Sequence, residues 1–222
     1  YLLMIAGIFG MVLTGDMFNF FVFLEITSIA SCALIAFYTN KGKSVDAGFK
    51  YIVVSATGAL FVLFAIAILY GQYNALNIAV LASKIQLTQF TLLDKIAFVL
   101  LISGLAMKAG IVPMHMWLPD AYGRAPSSVT LMLIVATQAS LYGALRMIFT
   151  LFGGQLSRSL QEVGGITINM NLLIGAILVG LAILTIFVGV LMALKESDFK
   201  RMIGFAAVAE IGYMILAIGA AL

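Results

Sequence analysis

Seven apolar stretches dominate the chain, at about 1–14, 18–38, 47–70, 95–118, 127–152, 171–194 and 202–222, divided by mostly short polar connections. A helix that crosses the ~30 Å hydrocarbon core needs about 20 apolar residues at a rise of 1.5 Å each. Every stretch but the short first one meets that length. The longest connection, 71–94, contains NIAVLASKI (Asn77 to Ile85), which predicts a short helix lying at the surface. No internal repeat, low-complexity tract or linker interrupts the pattern. It predicts an all-α polytopic membrane protein with about seven transmembrane helices in one domain.

Composition agrees. Of 222 residues, 64% are hydrophobic and 9% charged, against about 25% charged in soluble domains. The net charge of +3 belongs to the connections and reports orientation. No basic run with interleaved aromatics exists, so nucleic acid is not an expected partner. Lys41, Lys43, Lys50, Arg124, Lys195, Lys200 and Arg201 fall on one side, and Lys84, Lys95, Arg146 and Arg158 on the other. The positive-inside rule then puts the TNKGKSVD connection and Tyr1 on the cytoplasmic side. Tyr1 opens inside an apolar run with no charged leader, which does not read as a signal peptide. The single cysteine, Cys32, forms no internal disulfide or thiolate cage and reads as a packing residue.

The fourth stretch breaks the pattern. In SGLAMKAGIVPMHMWLPDAYGR (Ser103 to Arg124), Lys108 stands in an apolar run that Gly110 and Pro113 then interrupt, and the only histidine and tryptophan follow, His115 and Trp117. A charge in the hydrocarbon layer costs roughly 2.5–3.5 kcal/mol on insertion scales, so an intramembrane ionisable group marks a functional site by default. Broken helices at membrane depth persist only inside protein or beside a watery cavity. Glu25 in the second stretch and Glu210 in the seventh share this property. Asn19, Thr27, Ser28 and Ser31 accompany Glu25, and Thr137, Gln138 and Ser140 lie in the fifth stretch. Helical spacing puts Glu25, Ser28 and Ile29 on one face, turned toward other helices.

If Glu25 and Lys108 meet at about 4 Å, an effective dielectric near 20 gives an attraction on the order of 4 kcal/mol. That matches the scale of the insertion penalty. Pairing favours the charged form of both groups, and separation in an apolar setting favours the neutral forms. Such a pair can hold and release a proton. The competing reading is a static pair that fixes helix packing, although buried pairs stabilise poorly beside apolar substitutes. Asp16 in TGD reads as a helix cap. Lys50 and Arg146 read as snorkelling near helix ends. His115, with no metal-spaced partners, reads as a relay group that titrates near about pH 6.5 when unperturbed. Trp117 reads as an interface anchor or a packing group. No nucleophile elbow, phosphate loop or dinucleotide fingerprint is present, and no cofactor or metal is expected.

TGDMFNFFVFLEI (Thr14 to Ile26), KAGIVPMHMWLPDAYGRAPSSV (Lys108 to Val129), LYGALR (Leu141 to Arg146) and DFKRMIGFAAVAEIGYMIL (Asp198 to Leu216) resemble the antiporter-like subunits of Mrp-type sodium/proton antiporters, respiratory complex I and membrane-bound hydrogenases. The first motif is closer in form to the Mrp and hydrogenase branch. The resemblance implies about fourteen helices with two inverted five-helix repeats. Residues about 1–152 would form the first repeat, and about 171–222 the start of the second. It places the family's motif glutamate at Glu25, its broken-helix lysine at Lys108 and its motif histidine at His115. Two positions depart. The family's usual lysine before the YG of the fifth helix is Gln138 here, and Glu210 stands where a neutral polar residue is common.

The expected function is a proton-translocating subunit, with or without sodium coupling, of a multisubunit membrane complex in a prokaryotic inner membrane. Its expected translocation residues are Glu25, Lys108, His115, Gln138 and Glu210, and any redox chemistry belongs to other subunits. The alternatives are a non-transporting architectural subunit and an independent small-molecule transporter.

Overall fold

The computed structural model describes residues 1–157, 160–163 and 166–222. Its helices are α1 (Leu2–Leu13), α2 (Met17–Ile35), α3 (Gly42–Tyr73), α4 (Ile78–Leu87), α5 (Leu92–Ala109), α6 (Trp117–Arg124), α7 (Ser127–Arg146), α8 (Gly153–Leu156), α9 (Met170–Lys195) and α10 (Phe199–Ala220). A π-helical turn, Met147–Phe152, carries α7 into α8. Five helical stretches are long and apolar enough to span a bilayer: α2, α3, α7 through α8, α9 and α10. The shorter α1 and α5 complete the seven that the apolar pattern predicts. Between α8 and α9 the chain adds a hairpin that the pattern does not predict, β1 (Leu160–Val163) against β2 (Ile166–Asn169), antiparallel with Leu160 opposite Asn169.

Local chemistry fixes the ends. Asp16 caps α2 by accepting from the Asn19 amide at 2.9 Å. Thr91 and Asp94 form a reciprocal capping box at the start of α5. Asp94 is fully buried and also accepts from the Tyr73 hydroxyl at 2.9 Å, which ties α5 to the end of α3. The short helix predicted near Asn77 is α4, yet it does not simply lie at the surface. Ile78, Leu81 and Ile85 are buried, and Gln155 donates to the Ile85 carbonyl at its end, at 2.6 Å.

The basic side chains do more than snorkel. Arg146 donates to the carbonyls of Val12 (3.2 Å) and Thr14 (2.6 Å), satisfying acceptors left open where α1 ends. Lys50 pairs with Asp46 at 2.9 Å and Asp120 at 3.1 Å. Lys41, Lys43, Arg124 and Lys200 line one surface depression, so these charges of the basic side gather at one end of the bundle. Lys84 and Arg146 bond at the opposite end. Arg158 lies outside the described residues. Large apolar side chains such as Leu172, Ile183, Phe187 and Leu194 point outward from α9, as a lipid-facing surface requires.

Close approach of α3 and α5 sets the site. A methyl group at Gly58 would come within 2.9 Å of the Gly104 carbonyl oxygen, so the two backbones touch where neither carries a side chain. That crossing brings the last turn of α5, with Lys108, against the middle of α3.

Candidate functional site

The α5 helix stops at Gly110, which adopts a left-handed conformation (φ +87°) and donates its amide to Ala106 O at 3.0 Å. A Cβ there would also strike Leu118 at 2.6 Å, so this break calls for glycine. The chain then runs through turns to α6. Trp117, the first residue of α6, turns its indole back and donates Nε1–H to the Met107 carbonyl at 3.1 Å. It is 4% exposed, so Trp117 packs in the core and is no interface anchor. Its ring meets Tyr51 edge-on at 5.0 Å between centroids.

Lys108 is 6% exposed and donates to Glu25 Oε1 at 3.2 Å. It also donates to the Ser28 hydroxyl, which passes its own hydrogen to Leu24 O at 2.7 Å. The ammonium thus rests on one carboxylate and one hydroxyl whose donor is already committed. The lysine stem runs beside Gly58, where a Cβ would lie 3.5 Å from Lys108 Cγ. Glu25 is more open than its partner, with 29% of its side chain exposed. The expected common face holds for Glu25 and Ser28 and fails for Ile29, which is 59% exposed. One residue of helical rotation past Ser28 already turns the side chain to the outer surface.

Behind the ammonium lies a cavity of about 20 Å³, lined by Thr27, Ser28, Tyr51, Lys108, Thr137 and Ser140 among apolar neighbours. A polar cavity of that size admits one water. The hydroxyls of Ser28, Ser31 and Ser55 surround the Tyr51 phenol. Those of Ser31 and Ser55 are buried and make no hydrogen bond of standard geometry. Sequence reasoning named the serines beside Glu25 but not Tyr51, whose aromatic ring in an apolar run gave no signal.

The remaining expected residues do not join this cluster directly. His115 is 7% exposed and sits in the turn after the break, with Nδ1 unbonded, and it does not line the Lys108 cavity. Gln138 faces the other side of α7, where it lines a groove with Tyr142, Met214 and Ala217. Glu210 lies on the exposed face of α10. Gln138 is eleven residues past Ser127 and Glu210 eleven past Phe199, so both stand about 16 Å along helices that rise 1.5 Å per residue. The two helices start side by side, with Lys200 donating to Ala125 O at 3.2 Å.

Two motifs of the sequence meet at that end. In α6 against α10, Pro119 packs on Gly204, where a Cβ would lie 2.7 Å from its Cα. Asp120 takes Lys50 at 3.1 Å and Arg201 at 3.5 Å. A short helix thereby links the α5 break to α3 and α10.

The sequence matches the family described as NADH:quinone oxidoreductase/Mrp antiporter, transmembrane, over residues 14–221. It is 35% identical to the NADH-quinone oxidoreductase subunit N of Desulforudis audaxviator, over 97% of this chain and 40% of that protein. Among solved structures it resembles a chain of the archaeal membrane-bound sulfane sulfur reductase, with TM-score 0.84 and 35% identity over 98% of this chain and 42% of the other. It also resembles a chain of the Mrp complex from a Dietzia species, with TM-score 0.82 and 31% identity over 98% and 38%. The chain thus spans about two fifths of the relatives it matches.

Proposed function

The chain belongs to the NADH:quinone oxidoreductase/Mrp antiporter transmembrane family, and from that premise we propose that it forms the proton-handling part of an antiporter-like subunit in a multisubunit membrane complex. Residues about 1–152 would be the first of two inverted repeats, and about 171–222 the opening of the second. The concentration of basic side chains at one end supports a prokaryotic cell membrane orientation with Tyr1 on the cytoplasmic side.

The observation that carries the reading is the setting of Lys108. An ammonium within apolar helices, held by Glu25 at 3.2 Å beside a broken helix and a water-sized cavity, has both a charged partner and a place to pass a proton. While Glu25 is near, the ammonium is favoured; if Glu25 withdraws, burial favours the neutral amine and the proton leaves. Because Ser28 spends its hydrogen on Leu24 O, it accepts from the lysine and offers no donor to the lone pair of the neutral amine. Glu25 is the charge partner and Lys108 the carrier. His115, Gln138 and Glu210 are positions beyond the pair for relay or hydration, with sodium coupling left to the assembled complex.

The test is proton uptake by membrane vesicles carrying the assembled complex with Glu25→Gln or Lys108→Ala. Loss of uptake with assembly intact supports the reading. Normal uptake by both variants leaves the pair a static packing device and the subunit architectural.

A further inference from the structure

The basic end of the bundle holds more positive charge than its carboxylates use. Every carboxylate there is already engaged. Asp46 holds Lys50 at 2.9 Å, and Asp120 holds Lys50 and Arg201 at 3.1 and 3.5 Å. Glu196 takes Arg201 at 3.5 Å. Asp198 caps α10 by accepting from the Lys200 amide at 3.0 Å. Lys41, Lys43, Arg124 and Lys200 are left over, and among the described residues none of the four forms an ion pair.

These same four line one depression of about 310 Å³, roughly ten times a water's share of the liquid and room for a phosphate with its glycerol. They reach it from three elements: Lys41 and Lys43 from the start of α3, Arg124 from the end of α6 and Lys200 from the first turn of α10. Neutral groups hold two of the ammoniums at its wall. Lys200 donates to Ala125 O at 3.2 Å, and Lys41 lies over the Tyr38 ring, 4.6 Å from its centre. Like charges gathered in this way repel until an anion joins them. Apolar surface adjoins the depression. Phe37 and Phe199, the sequence neighbours of Tyr38 and Lys200, are 63% and 69% exposed. A phospholipid carries the same two chemistries in the same order, an anionic phosphate above acyl chains.

We propose that this depression binds the headgroup of an anionic membrane phospholipid of the phosphatidylglycerol type, which bridges α3, α6 and α10. Basic pockets between membrane helices take such headgroups. The phosphodiester oxygens accept from the Lys43 ammonium and from the Arg124 guanidinium, whose fork suits a phosphate, and the acyl chains descend along the apolar surface beside Phe37 and Phe199. A zwitterionic headgroup brings its own ammonium among four cations, so the site selects net negative charge. Arg124 ends the short helix that follows the α5 break, and Lys200 stands in the first turn of the helix on which α6 packs. One bound phosphate therefore ties both ends of that contact to the start of α3. The site is separate from the Lys108 cavity and does not depend on the transport reading.

The experiment uses the full-length subunit in its native complex, in detergent, with a phosphatidylglycerol that carries a photoreactive group on one acyl chain. Labelled peptides are mapped by mass spectrometry. Label is expected on the peptides that carry Phe37 to Val45 and Phe199, displaced by unlabelled phosphatidylglycerol and not by phosphatidylcholine or inorganic phosphate. Lys43→Gln with Arg124→Gln is expected to lower that label at least about tenfold. Lys195→Gln, which removes a charge of the same end from outside the depression, is expected to leave it unchanged. If the double variant fails to assemble, Lys41→Gln with Lys43→Gln, both exposed on one connection, decides in its place. Equal loss in Lys195→Gln would show a diffuse attraction to the membrane surface and overturn the site. Displacement by inorganic phosphate would make it a site for the free anion, and displacement by phosphatidylcholine would remove the selection for charge; either overturns the lipid assignment. Absence of label from these peptides in the parent complex overturns it outright.

Discussion

Trp117 holds the carbonyl of Met107, at 3.1 Å, across the break that separates α5 from α6. The last carbonyls of a helix have no partner of their own, and this one directly precedes the lysine of the site. A side chain downstream of the break therefore completes the helix upstream of it. Trp117→Phe keeps most of the ring and its edge contact with Tyr51, and leaves a buried carbonyl unpaired at about 1–3 kcal/mol. A lower unfolding temperature in detergent, with translocation reduced further than the loss of folded protein accounts for, is the expected result.

The two halves of the ion pair are not equivalent. Lys108 has 4% of its side chain exposed and Glu25 29%. Glu25→Gln strands a buried ammonium, and Lys108→Met leaves a carboxylate that water still reaches. Breaking a buried pair costs about 3–5 kcal/mol, and Glu25→Gln is expected nearer that range than Lys108→Met. Thermal melts of the two purified variants check the order. A larger loss in Lys108→Met would show that the carboxylate is the more deeply dependent partner.

At the α3–α5 crossing, Gly104→Ala drives a methyl group to 2.5 Å from the Gly58 carbonyl oxygen. Backbone cannot give as a flexible side chain does, so the helices must part at about 1–3 kcal/mol. Reduced assembly and a weakened Glu25–Lys108 contact are expected. Gly71→Ala, with open space around it, serves as the matched control and should assemble normally.

Asp120 joins Lys50 and Arg201, but all three side chains are partly exposed, at 26%, 49% and 31%. Solvent screens such pairs, so they contribute little to stability. Asp120→Asn is therefore expected to leave the melting temperature nearly unchanged, as a melt at low and high salt would register. A drop of many degrees would give this surface contact a structural weight that its exposure does not support.

Much of this arrangement is legible in the chain because the cost of intramembrane charge is so large. Lys108 and Glu25 stand out in apolar runs, and Gly110 with Pro113 marks the break between them and α6. The spacing from Glu25 to Ser28 reads correctly, whereas Ile29 shows how quickly a helix face turns outward. Tyr51 stays hidden because an aromatic ring in an apolar run looks like core, and for Trp117, where anchoring and packing both fit the sequence, only the fold reveals the carbonyl that its indole meets. The role of Arg146 is equally invisible, since it depends on where the end of α1, over a hundred residues earlier, comes to rest.

The length of α3 has a mechanical consequence. From Tyr51 to Tyr73 it carries no charge, and 23 residues at 1.5 Å each make a span of about 34 Å against a hydrocarbon core of ~30 Å. Such mismatch is relieved by leaning the helix, and its contact with α5 at Gly58 is the fulcrum beside Lys108. Membrane thickness thereby becomes an input to the ion pair. Vesicles of short-chain lipids are expected to shift translocation while long-chain lipids restore it, and equal rates across the series would show the fulcrum to be rigid.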